Sequence, residues 1–256
     1  VKWVAMRTNK QSSELMFAVG HDSRISADRI SKQVVAALEN SGVKVYDCSL
    51  ASTPAMFMTT IDLHTDGAIQ ITASHHPFDR NGLKFFIKEG GLESSQLSEV
   101  IEIAEKGDFI EAQGGTVEKV SYMTTYSKRL RDMICSAIGK SEEEKPLKGY
   151  HIVVDAGNGV GGFYASEVLA PLGADTTGSR FLEPDGMFPN HIPNPEDKTA
   201  MKSICDAVKE SKADLGVIFD TDVDRAGCVD SKGNEINRNR LIALSSIIAM
   251  EGNEGA

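Results

Sequence analysis

The sequence predicts an α/β protein of two three-layer α/β/α domains with mixed, largely parallel sheets, residues 1–140 and 141–256. Three observations carry this prediction. Strand and helix patterns alternate along the first half, an order that folds into parallel strands with covering helices. Gly139-Lys140-Ser141-Glu142-Glu143-Glu144-Lys145-Pro146 then breaks the pattern with a charged stretch that lacks apolar residues and contains a proline, the make-up of a boundary. A fresh strand pattern starts at Tyr150, and 256 residues are enough for two cores.

Taken in order, Glu14 to Gly20 reads as a strand running into a glycine turn, and Ala27, Ile30, Val34, Ala37 and Leu38 recur at helical spacing. Ser26 is placed to cap that helix, and Ser41-Gly42 ends it before a strand over Val43 to Asp47. Pro54 opens a short helix through Leu63. Ala68 to Thr72 is an apolar run of strand character that delivers Ser74 to its carboxyl end, followed by His75 and His76. Pro77 stops regular pairing, and Asn81 to Phe86 carries a second short strand bearing Lys84. Helices follow near Ser95 to Lys106 and Tyr122 to Ile138. In the second half, Tyr150 to Asp155 is a strand, and a glycine-rich turn leads from it into a helix. Phe181 to Glu196 is irregular, stiffened by Pro184, Pro189, Pro193 and Pro195. Met201, Ile204, Cys205 and Val208 mark a helix, and Leu215 to Phe219 a buried strand. Ala226 to Asp230 and Glu235-Ile236 make a hairpin through Lys232-Gly233-Asn234, and Asn239 to Met250 is a final helix.

Charged residues make up 25% and the apolar set 41%, values of a folded globular chain. The net charge of −10, without a Lys/Arg cluster, argues against nucleic acid or anionic lipid as partners. Cys48, Cys135, Cys205 and Cys228 are scattered, as in a reducing compartment, and no stretch reaches membrane-spanning length. The expectation is a cytoplasmic protein. An organelle such as a plastid stays open, because the chain starts at Val1 without a methionine and runs directly into apolar pattern, which predicts a preceding segment.

Strand-end loops are where chemistry gathers in such sheets, and two loops stand out. A serine is a weak nucleophile unless a base, a metal or an altered state activates it, so Ser74 needs help. Asp220, Asp222 and Asp224 alternate after a buried strand and would repel one another without a cation between them. Their hard oxygens suit Mg²⁺. An EF-hand is excluded, since Arg225 stands at the required glycine and Ser231 at the bidentate glutamate. Gly157-x-Gly159-x-x-Gly162 matches a dinucleotide fingerprint, but no acidic residue closes a second strand to hold a ribose, and close packing explains the glycines.

Together these segments resemble the α-D-phosphohexomutase superfamily, the phosphomannomutases and phosphoglucomutases, domains one and two. Gly20-His21-Asp22-Ser23-Arg24-Ile25-Ser26 is similar to the family's Gly-x-Asp-x-Arg-x-Ser loop, and Thr72-Ala73-Ser74-His75-His76-Pro77 to its phosphoserine loop. Asn81-Gly82-Leu83-Lys84, Pro189-Asn190-His191-Ile192-Pro193-Asn194-Pro195-Glu196 and Asp220 to Arg225 follow in the family's order. The resemblance implies a mutase that interconverts hexose 1-phosphate and hexose 6-phosphate through a phosphoserine at Ser74 and a hexose 1,6-bisphosphate intermediate. It implies Mg²⁺ held by Asp220, Asp222, Asp224 and an oxygen on Ser74. Lys84 becomes the general acid or base, provided its surroundings lower its pKa. His75 lines the reacting centre, while Arg225, Arg24 and His76 bind substrate or phosphate. The partner implied is a small sugar phosphate.

Thr221 and Val223 stand where many family members carry glycine or another small residue, and His76 where many carry asparagine. The resemblance also leads to the expectation of an arginine-bearing segment before the first strand and two further domains after the last helix, so the chain reads as an incomplete part. Two rivals remain open. Val217 to Val223 also fits a haloacid-dehalogenase phosphatase with Asp220 as nucleophile, a fold that needs a later lysine and acidic pair. The other is a fragment that binds metal or a partner without turnover.

Overall fold

The computed structural model describes residues 1–251. Its first unit begins with α1 (Lys2–Thr8) and runs through β1 (Met16–His21), α2 (Ala27–Asn40), β2 (Lys44–Leu50), α3 (Thr53–Asp62) and β3 (Gly67–Ile71). It continues through β4 (Leu83–Ile87), β5 (Gly90–Gly91), α4 (Ser94–Glu105), β6 (Thr116–Lys119) and α5 (Tyr122–Ile138). The strands form one six-stranded sheet in the order β5-β4-β3-β1-β2-β6. β3, β1, β2 and β6 run parallel, and β4 and β5 turn back antiparallel.

Successive strand residues point to opposite faces, and the sequence supplies an apolar group for each. Phe17, Val19, Val45, Ile69 and Ile71 join Trp3, Val4, Leu38 and, from α4, Val100 and Ile103 in one core. On the other face Ala18, Cys48 and Ala68 pack with Ala55, Met56, Tyr122 and Tyr126 of α3 and α5. The sheet is therefore buried between two helical layers, and its strand-end loops converge on one edge.

The second unit is smaller: β7 (Ile152–Asp155), α6 (Lys198–Ser211), β8 (Leu215–Phe219), β9 (Ala226–Asp230) and α7 (Arg238–Met250). β7 and β8 pair in parallel, and β9 returns antiparallel. Val153, Ile218 and Val229 face α6, while Ile152, Val154 and Phe219 face Ala165 and Leu169. This is a second α/β/α arrangement.

Several elements differ from the sequence expectation. The glycine-rich turn leads to a π-helical segment, Tyr164–Leu169, and not to an α-helix. α1, β5 and β6 are additional; β6 is exposed along its length and is held by backbone pairing to β2, so it leaves no apolar alternation to read. Ser26 does not cap α2, because its hydroxyl is turned to Asn81 Oδ1. Residues 181–196 contain no helix or strand, as expected. Among the described residues, no helix is long and apolar enough to cross a membrane.

Besides the loops at their strand ends, the two units meet at two places. In one, α5 presents Ser127 Oγ and Arg131 Nη1 to Glu167, the first to its carboxylate at 2.9 Å and the second to its carbonyl at 2.7 Å. In the other, the loop after β1 meets the glycine-rich turn and the proline-rich loop. Ser23 Oγ donates to the Asn158 carbonyl at 3.0 Å, and the Phe188 ring lies 5.5 Å from the Arg24 guanidinium. Gly186 sits so close that a Cβ there would lie 2.5 Å from both Ser23 O and Ile25 N.

Candidate active site

Ser74 stands just past the carboxyl end of β3 with φ 53°, a left-handed conformation unusual for a serine. A chain of hydrogen bonds holds it there. Its N–H donates to Thr72 Oγ1 at 2.9 Å, and that hydroxyl donates to Asp22 Oδ2 at 2.7 Å. Arg24 Nε donates to the same carboxylate oxygen at 3.1 Å, and Arg24 Nη2 donates to the Ser74 carbonyl.

The remaining Arg24 donors reach the carbonyls of His76, Pro77 and Arg80. All five N–H groups of this guanidinium are thus engaged, and the residue is only 3% exposed. Arg24 is thus an internal clamp of the Ser74 loop. Asp22 and Thr72, its partners, escaped the sequence reading. Asp22 lies inside a motif already recognised, and only folding shows that it ties two loops together.

The second loop grows out of β8. Arg225 N donates to Asp220 Oδ1 at 3.0 Å and Val223 N to the Asp220 carbonyl at 3.3 Å, which curls the aspartates onto one side. Val223 pays for this curl with φ 67°, a strained value for a β-branched residue.

The two loops face each other. Ser74 Oγ donates to Asp220 Oδ2 at 3.1 Å, and Arg225 Nη2 reaches Ser74 Oγ at 2.6 Å, Asp220 Oδ2 at 2.8 Å and His75 Nδ1 at 2.7 Å. Lys84 Nζ, from β4, bridges Asp222 Oδ2 and Asp224 Oδ2 at 2.6 Å each. His76 is exposed and stacks on His75 with ring centroids 4.8 Å apart. Thr53, at the start of α3, donates its backbone N–H to the Asp222 carbonyl at 2.8 Å and its hydroxyl to Asp222 Oδ2. The sequence reading missed Thr53, whose neighbour Pro54 signalled only a helix start.

Electrostatics divides the acids. Burial, followed by the charges of Asp222 and Asp224, pushes the Asp220 carboxyl up to about 7. Burial alone would raise Asp222 too, but the Lys84 ammonium and the Lys84 and Thr53 hydrogen bonds hold it below the usual carboxylate range. Burial would lower Lys84, yet Asp222 and Asp224 outweigh it and the net shift is upward. The two carboxylates beside Lys84 thus raise its pKa and do not lower it. Burial and then Arg225 lower His75, which keeps its Nδ1 as an acceptor.

One oxygen from each of Asp220, Asp222 and Asp224 lies within 4.8 Å of the others. Asp222 Oδ1 is buried and has no hydrogen-bond partner. A set of hard carboxylates with one orphaned buried oxygen fits a divalent cation such as Mg²⁺.

Two α/β/α units whose strand-end loops set a serine against an aspartate triplet define the phosphohexomutase class of folds. The chain belongs to the phosphoglucomutase/phosphomannomutase family. It matches the family's "alpha/beta/alpha domain I" over residues 1–111 and its "alpha/beta/alpha domain II" over residues 124–233. It is similar to the phosphomannomutase/phosphoglucomutase of Pseudomonas aeruginosa, with 34% identity over 99% of this chain and 53% of that protein. A phosphoglucomutase of Neisseria gonorrhoeae is 32% identical over 93% of this chain and 50% of its own length. The crystal structure of a phosphoglucomutase/phosphomannomutase family protein from Burkholderia thailandensis superposes with a TM-score of 0.82 at 26% identity. It covers 99% of this chain and 54% of that one. The chain thus spans about half the length of the curated relatives it matches.

Proposed function

We propose that these residues form the phosphoryl-carrying half of a phosphohexomutase that interconverts hexose 1-phosphate and hexose 6-phosphate. The observation that carries this reading is the meeting of Ser74 Oγ with Arg225 and Asp220 across the seam, at 2.6 and 3.1 Å. Ser74, stored as a phosphoserine, gives its phosphoryl group to a free hydroxyl of the sugar monophosphate. The bond from phosphorus to the serine oxygen breaks, a bond to the sugar oxygen forms, and the proton given up by the sugar hydroxyl is made good on Ser74 Oγ, which leaves as a hydroxyl. The resulting hexose 1,6-bisphosphate then returns its other phosphoryl group to Ser74.

Arg225 is placed to grip oxygens of the transferring group in a bidentate manner, and the Lys84 ammonium adds positive charge at the same edge. Arg225 also holds the His75 ring by Nδ1, which leaves Nε2 as the protonated nitrogen. Mg²⁺ held by Asp220, Asp222, Asp224 and an oxygen on Ser74 would neutralise charge on the phosphoryl group. The substrate is a small sugar phosphate, in keeping with an acidic chain of net charge −10 that disfavours nucleic acid and anionic membranes.

Intact mass after incubation with a hexose 1,6-bisphosphate tests this reading. One added phosphate is expected, and Ser74→Ala should abolish it. Phosphate that survives the substitution would place the carrier elsewhere.

A further inference from the structure

We infer that Thr53 is a positioning residue that decides which oxygen of Asp222 is offered to the cation, so that metal affinity depends on how the two units are seated. The inference rests on the reading of Asp220, Asp222 and Asp224 as metal ligands.

Thr53 is the first residue of α3, after the Ser52 cap that accepts Ala55 N. The backbone N–H at such a position has no partner within the helix and must find one outside. It finds the Asp222 carbonyl, 2.8 Å away on the other unit. The Thr53 side chain then donates to Asp222 Oδ2, the same oxygen that takes Lys84 Nζ at 2.6 Å. Two donors converge on Oδ2 and none reaches Oδ1, although Asp222 is fully buried. A buried carboxylate oxygen left without a donor is costly, and the asymmetry leaves Oδ1 as the oxygen available to a cation.

The main-chain contact fixes where the Asp222 backbone lies, and the hydroxyl fixes the rotation of its carboxylate. Without the hydroxyl, Lys84 alone remains to set that rotation, and Lys84 is shared with Asp224. Thr53 is itself buried, on an element of the six-stranded unit. The ligand geometry of the second unit is therefore completed by the first. Partners that orient metal ligands in this way are worth about 10–100-fold in metal affinity.

The test uses Mn²⁺ as a paramagnetic probe, titrated into the full 256-residue chain, with Mg²⁺ competition. Thr53→Val keeps the shape and the backbone N–H but removes the hydroxyl; Mn²⁺ affinity should fall about tenfold or more. Thr53→Ser keeps the hydroxyl and should stay within about twofold of the parent, a rescue that the same principle requires. Thr53→Ala, which only removes atoms, is measured beside them so that the result does not hang on how valine packs. A purely structural Thr53 would lower the thermal unfolding midpoint in chelator while the folded protein bound Mn²⁺ as before, and that outcome overturns the inference. Asp222→Asn separates the two layers of the argument. If it leaves Mn²⁺ binding unchanged, the metal reading itself fails; if it abolishes binding while Thr53→Val and Thr53→Ala do not weaken it, only the positioning role fails.

Discussion

Arg24 shows how much a single side chain organises here. Its guanidinium and the Asp22 carboxylate are both nearly inaccessible, and the pair holds the carbonyls of a loop that would otherwise lack donors. Removing one partner of a buried pair leaves an uncompensated charge, which costs about 3–5 kcal/mol. Arg24→Met should therefore lower the unfolding free energy by roughly that amount in urea titrations. Arg24→Lys should recover only part of it, since a point-like ammonium cannot span four carbonyls. A loss below roughly 1 kcal/mol for the methionine variant would show that water replaces the clamp. At this scale the sequence disclosed positions better than directions. Ser74, His75, Asp220 and Arg225 were legible because their residue types carry chemistry in themselves. The role of Arg24 was not, because a motif does not say whether a guanidinium points out of a loop or into it. Thr53 was hidden for the same reason: its partner lies 169 positions away.

Among the elements, the proline-rich stretch after β7 is tied down by His191. Its Nε2 lies 3.0 Å from Asp155 Oδ1, and the Asp155 carboxylate also takes Ser203 Oγ at 2.6 Å. Burial would lower the His191 pKa, but the Asp155 hydrogen bond and charge outweigh it and raise it. A histidine with a raised folded-state pKa contributes stability that is fully present below its unfolded value of about 6.5. That contribution is lost as pH rises through the folded value. Denaturant titrations from acid to mildly alkaline pH should show unfolding free energy falling over this window, and His191→Gln should flatten the fall. An unchanged slope in the variant would assign the pH dependence to other groups. Strands and helices with a buried face were readable to within about three residues, α5 to the residue, because burial imposes a period. α1 spans only seven residues and β6 is held by its backbone, so neither leaves a period long enough to detect.

For the whole molecule, the seam is where the proposed chemistry lies, since every contact between Ser74 or Lys84 and the aspartates crosses it. A mutase must hold the sugar phosphate in two orientations, and orientation supplies a large part of the advantage in phosphoryl transfer. In the proposed reaction the groups gathered at this seam serve the reacting phosphate. We therefore expect the 256-residue chain to pass a phosphoryl group slowly to water and to show little isomerisation. A version extended to the length of the relatives should convert hexose 1-phosphate to 6-phosphate efficiently in a coupled assay. Comparable rates in the two would mean that these residues already hold both ends of the substrate. The two-layered core of each unit was legible in the sequence; the seam was not, because it is made of loops whose partners are distant in the chain.

The close approach at Gly186 gives this seam a thickness. Where its backbone rests on Ser23 and Ile25, the spacer between the units is one hydrogen atom, and the smallest side chain would collide with main-chain atoms that cannot swing aside. The width of the gap in which serine meets aspartate is thus gauged at a distance, as a shim sets the clearance of a bearing. A substitution there would touch no charged or reacting group, yet it would act as a wedge and change the reach of every contact across the cleft together.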